Sequence, residues 1–121
     1  MIQTASALKT FFGGFGIPAY TVDSVPENVE LPYLTYPLSE PEWSQKASFY
    51  VQVWYRTRSN ADVLAKADEI TAAVGNGIKI EMPDGYLVIY PETPLVQLLV
   101  DGDERSAYIN LSINSYHMPG V

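Results

Sequence analysis

The chain has 121 residues, 14 acidic against 7 basic side chains, a formal charge of −7 and an isoelectric point near 4.4. That length suits one domain, and 47% hydrophobic with 17% charged residues excludes wholesale disorder. The lack of cysteine removes disulfides, thiolate metal sites and cysteine nucleophiles, and seven scattered cations are too few for a grip on phosphates.

The first twelve residues lack a basic start followed by an apolar run, and no stretch of about 18 apolar residues occurs, so neither a secretory leader nor a membrane span is predicted. A short helix is predicted over 2–12, with Ala5, Leu8, Phe12 and Phe15 on one face, ended by Gly13, Gly14 and Gly16. An extended piece follows from Ile17 to Val22. Residues 22–44 then form a proline-rich acidic arm: Pro26, Pro32, Pro37 and Pro41 interrupt it, and five acids meet no base before Lys46. Proline removes a ladder donor, so only a short edge strand over 33–36 fits there. Trp43, near the end of the arm, caps a core or fills a neighbour's pocket.

A long strand is predicted over 46–58. Phe49, Val51, Val53 and Tyr55 point one way, and Tyr50, Gln52, Trp54 and Arg56 the other, since successive side chains of a strand alternate faces. Ser59 or Asn60 can cap a helix through residue 74, with Val63, Ala67, Ile70 and Val74 on its apolar stripe. Apolar alternation on both sides of Pro83-Asp84-Gly85 predicts a hairpin, 78–82 with 86–90. Two further strands, 93–100 and 105–116, pair around Asp101-Gly102-Asp103-Glu104. In the last, Ala107, Ile109, Leu111 and Ile113 oppose Tyr108, Asn110, Ser112, Asn114 and Tyr116. The sum is a single α+β domain over 1–121, one mainly antiparallel sheet with two helices packed on one face.

Catalytic signatures are missing. Asp101, Asp103 and Glu104 lack the spacing of a calcium loop and suit a hairpin turn. His117 is the sole histidine and has no sequence-adjacent nucleophile or orienting group. The glycines of 11–16 follow no strand and precede no Lys-Ser/Thr, so they are no phosphate cradle. Glu40 and Glu42 read as a solvated acidic loop. The sequence therefore predicts no catalytic residues, no cofactor, no metal and no enzyme.

The aromatic residues point elsewhere. Nine tyrosines and two tryptophans are many for this length, and several share strand faces with amides. Either a second layer of the same subunit or the surface of another molecule covers such a face. Tyrosine and tryptophan bring large contact area at low entropic cost, which suits an interface. The candidate contact residues are Tyr33, Tyr36, Trp43, Tyr50, Trp54, Tyr108, Asn110 and Tyr116.

The segment Leu31-Pro-Tyr-Leu-Thr-Tyr36, the irregular stretch to a long strand, the helix over 60–74 and the closing Arg105-Ser-Ala-Tyr-Ile-Asn-Leu-Ser-Ile113 carry a likeness. Over residues 2–116 the chain resembles the small tail-terminator and tail-completion proteins of long-tailed bacteriophages and prophages. The resemblance implies a homo-oligomeric ring, often a hexamer. Such a ring stops growth of the tail tube, contacts the tail tube protein and docks to the head-completion protein. It implies residence in the virion after assembly in the bacterial host cytoplasm, with the 22–44 arm reaching a neighbour and no catalytic residue.

A ring that passes DNA works best without adhering to it, and at about 0.15 M salt charge acts over ~8 Å, so only lining residues matter. Candidate lumen acids are Asp84, Asp101, Asp103 and Glu104. The alternatives are an acidic binding or inhibitor module acting on a basic protein, and a head-completion or neck protein.

Overall fold

The computed structural model describes residues 2–38 and 46–117. Trp43, Glu40 and Glu42 lie outside the described residues, as does that part of the proposed arm. The elements are α1 (Ile2–Phe12), β1 (Ala19–Thr21), β2 (Tyr33–Tyr36), β3 (Lys46–Arg56), α2 (Ala61–Val74), β4 (Ile78–Met82), β5 (Gly85–Asp101) and β6 (Glu104–His117). The fold is α+β. Its six strands form one sheet in the order β1-β2-β3-β6-β5-β4.

The sheet is mixed, which corrects the expectation of a mainly antiparallel one. β1 runs parallel to β2, pairing Ala19 with Leu34 and Thr21 with Tyr36. The connection over 22–32 carries the chain back to the starting end before β2 begins, as parallel neighbours require. β2 is consequently not the edge: β1 covers it on one side and β3 on the other. The two expected strands 86–90 and 93–100 are one 17-residue strand, β5, interrupted by a register shift. From Pro91 to Val96 β5 advances five positions while β6 advances two, from Leu111 to Ile109. The extra residues bulge out of the ladder and let the strand continue.

β3 and β6 form the spine, in register from Lys46 opposite Asn114 to Arg56 opposite Glu104. On one face Phe49 opposes Leu111, Val51 opposes Ile109 and Val53 opposes Ala107, all buried. Leu34, Leu87, Ile89 and Ile113 continue this surface, and the helices bury Leu8, Phe12, Val63, Ala67, Ile70 and Val74 in the same cluster. Burial of each large aliphatic side chain stabilises the fold by about 1.5–3 kcal/mol.

The α2 stripe matches the sequence reading. Asn60 occupies the N-cap position without a side-chain capping bond to the helix backbone, whereas Ser59 Oγ accepts the Ala61 N–H at 3.1 Å. In α1 the buried stripe is Thr4, Leu8 and Phe12. Thr4 replaces the expected Ala5 because positions four apart stack on one helix face, and its hydroxyl lies 3.9 Å from Met82 Sδ.

Gly85 has a role other than the turn freedom suggested by Asp-Gly. Met82 pairs with Gly85, so Pro83 and Asp84 alone form the loop. A Cβ on Gly85 would stand 1.9 Å from the Tyr116 carbonyl oxygen, because β6 passes directly against this backbone. Gly85→Ala is expected to destabilise the fold by about 3 kcal/mol, read from the midpoint of chemical denaturation. An unchanged midpoint would refute that close approach.

Tyr36, counted in sequence among the contact residues, faces the core instead. It is 4% exposed, and its ring stacks on Phe12 at 4.9 Å. The reason is parity: Leu34 opposes Val53 on the core side, and Tyr36 lies two residues further along the same face. Burial raises the Tyr36 phenol above its ordinary pKa, and it does the same to Tyr55. The fold favours the neutral phenol, so its contribution is complete below the unfolded value near 10 and is lost as pH rises through the folded one. Tyr36→Phe is therefore expected to flatten the loss of stability above pH ~10, measured by denaturation from neutral to alkaline pH.

Candidate interaction surface

The face of the sheet opposite the buried aliphatics is built by the even-numbered residues of β3 and β6. Strand parity sends seven of the nine tyrosines there: Tyr20, Tyr33, Tyr50, Tyr86, Tyr90, Tyr108 and Tyr116. Trp54 joins them opposite Ser106 and Tyr33. Only Tyr36 and Tyr55 lie on the core side.

The rings hold one another in place. Tyr20 meets Tyr33 edge-on at 5.9 Å, and Tyr33 stacks on Trp54 at 6.3 Å. Tyr50 and Tyr108 form a T at 4.9 Å, and Tyr86 stacks on Tyr116 at 4.8 Å. Lys46 Nζ lies 4.6 Å from the Tyr90 ring centre and Lys79 Nζ 4.5 Å from that of Tyr86. Each aromatic pair adds about 0.5–1.5 kcal/mol beyond its burial, which fixes the rings before any partner arrives.

Between the rings runs a floor of short polar side chains. Thr35, Gln52, Ser106, Ser112 and Asn114 are all buried, although they point to this face. Gln52 Nε2 donates to Ser106 Oγ at 3.3 Å, and Asn114 Nδ2 to the Tyr116 hydroxyl at 2.9 Å. The β5 bulge leans over the same face, where Asn110 Nδ2 donates to the Pro94 carbonyl at 2.6 Å and to Gln97 Oε1 at 3.2 Å. A hollow of about 340 Å³ lies beneath it, lined by Ser48, Tyr50, Glu92, Pro94, Gln97 and Asn110 among others.

Three buried polar atoms of this face find no partner among the described residues: Trp54 Nε1, Ser112 Oγ and Asn114 Oδ1. A buried polar atom left without a bond costs about 1–3 kcal/mol, so among the described residues these atoms carry a penalty that another surface can relieve. Tyr50 is 50% exposed and Leu99, on the same face, 47%. Large rings, amides and unpaired polar atoms form a surface suited to protein contact.

The candidate residues are thus distributed as follows. Tyr33, Tyr50, Trp54, Tyr108, Asn110 and Tyr116 share one face. Three residues the sequence reading passed over, Tyr20, Tyr86 and Tyr90, belong with them; Tyr20 sits on a three-residue strand too short to show alternation.

The acids do not form one patch. Asp84 lies at the start of the β5–β6 hairpin, where Gly85 opposes His117, and Asp101 at its far end, opposite Glu104. Asp84 Oδ1 is 3.5 Å from His117 Nδ1, and its N–H donates to Gln3 Oε1. At the other end Arg56 reaches Asp103 at 3.2 Å and Glu104 at 3.4 Å. Arg105 donates there to Asn60 Oδ1 and to the carbonyls of Gly102 and Arg58. Among the described residues no three His, Cys, Asp or Glu side chains gather as a metal site, and no helix is long and apolar enough to cross a membrane.

No protein-family model matches the chain, and no curated protein matches it at a significant level of similarity.

Ser112→Ala removes a buried hydroxyl that bonds nothing described, so the isolated protein is expected to keep its stability or gain about 1 kcal/mol. A loss above that amount in thermal or chemical denaturation would show that the hydroxyl is already satisfied within the monomer.

Proposed function

We propose that the chain is a structural assembly protein of long-tailed phages or prophages, a tail terminator or tail-completion factor. It acts as a subunit of a ring, hexameric by the resemblance, that caps the tail tube and joins it to the head. In this reading both helices lie on one face of the sheet and leave the tyrosine face for a sister subunit. The observation that carries the proposal is that face itself, with pre-set rings, an amide floor and three buried polar atoms unpartnered within the described chain. We assign it no catalysis.

A heterologous contact that closes by rotation gives a ring, and one that does not close gives a filament. Because Asp84 and the 101–104 turn lie at opposite ends of the long hairpin, an acidic DNA passage would be lined by one set or the other. Arg56 already offsets part of the charge at the 101–104 end, so Asp84 is the acid of the candidates that lies away from the arginines.

The charge of −7 favours a second reading, an acidic module seated on a basic protein, which would form a salt-sensitive one-to-one complex.

Electron microscopy of the purified protein, alone and mixed with growing tail tubes, decides between them. The proposal expects rings or caps at tube ends and tubes that stop lengthening. It also expects Tyr50→Ser with Tyr108→Ser to abolish capping while the variant still folds by circular dichroism. Tubes that lengthen unchanged, with no protein at their ends, would end this reading.

A further inference from the structure

The sheet has a free edge inside its longest strand. β4 covers β5 only from Gly85 to Ile89, and from there onward β5 has β6 on one side and, among the described residues, no strand on the other. Residues 96–101 therefore hold a row of outward backbone donors and acceptors without a ladder partner among the described residues. Proteins usually blunt such an edge with lysine or other charges. Here residues 93–100 contain no charged side chain, and Leu99 and Val100 are 47% and 58% exposed.

We propose that this edge pairs antiparallel with the same edge of a second copy, about a two-fold axis at Leu98, to join two sheets into one. Three observations favour a second copy as occupant. An identical antiparallel strand offers the same outward donors and acceptors in reversed order, so the edge complements itself. In this register Gln97 meets Leu99 and Val96 meets Val100, so no charges oppose one another over 96–100, although the whole chain carries −7. Gln97 and Leu99 also belong to the tyrosine face, which pairing would extend unbroken into the second copy. The inference does not rest on the ring, because the edge contact leaves Tyr20, Tyr33 and Tyr50 uncovered.

The absence of cysteine makes a clean test possible. Directly opposed residues of antiparallel strands have Cα atoms about 4.5–5.5 Å apart, within disulfide reach. Leu98→Cys is expected to give a disulfide dimer under mild oxidation, and an equimolar mixture of Gln97→Cys with Leu99→Cys a mixed dimer, while Ser24→Cys gives neither. The mixture keeps the test decisive should Leu98→Cys fail to fold. Sedimentation of the unmodified chain over a range of concentrations is expected to show a dimer. Leu99→Lys with Val100→Lys should raise its dissociation constant by about tenfold or more. A chain monomeric throughout, or linked no better at 97–99 than at Ser24, overturns the proposal. A hexamer that persists in the lysine variant while the 97–99 links fail also overturns it, and leaves the ring reading standing.

Discussion

The antiparallel pairing of β3 with β6 is the constraint on which the rest depends. Eleven residues of β3 hold register with β6, and each successive pair is sent to alternate faces of the sheet. A slip of one residue between the two strands would pair Val51 with Tyr108 or Asn110, so that aliphatic and aromatic side chains would mix on each face. Neither a continuous aliphatic surface nor a continuous aromatic one would then remain. Both hydrophobic burial and the candidate contact surface are therefore decided by a single register.

Two local features protect that register. Gly85 lets β6 pass where any Cβ would collide with the Tyr116 carbonyl, and the Arg56 and Arg105 bonds tie the opposite end of the hairpin to the β3–α2 corner. Between them the bulge after Pro91 absorbs the extra residues of β5 without a change of face for β6. The bulge also folds over the tyrosine face, so a device that preserves pairing at the same time shapes the hollow beside Asn110. Architecture and candidate surface share the same residues.

The tyrosine face resembles a partly assembled interface more than a solvated exterior. Its rings are already paired, which lowers the entropy lost when a partner docks. Ser112 Oγ and Asn114 Oδ1, unpaired among the described residues, lie at the floor, where a partner side chain or trapped water would reach them. The free edge of β5 borders this face, so backbone pairing and ring contact are adjacent opportunities on one side of the molecule.

Alternation alone was enough to assign Tyr50, Trp54, Tyr108 and Asn110 to the face opposite Val51 and Ile109, and the i, i+4 stripe of α2 was equally legible. Periodicity is a local property, carried by the residues themselves. Tertiary structure decided what no local pattern encodes: that β1 joins in parallel and makes the sheet mixed, and that Tyr36 stacks on Phe12 in the core. It also decided that Tyr20, Tyr86 and Tyr90 complete the aromatic face, and that Asp84 is far from Asp101. These depend on which strands become neighbours and in what register, and that choice is made by packing between segments distant in the chain.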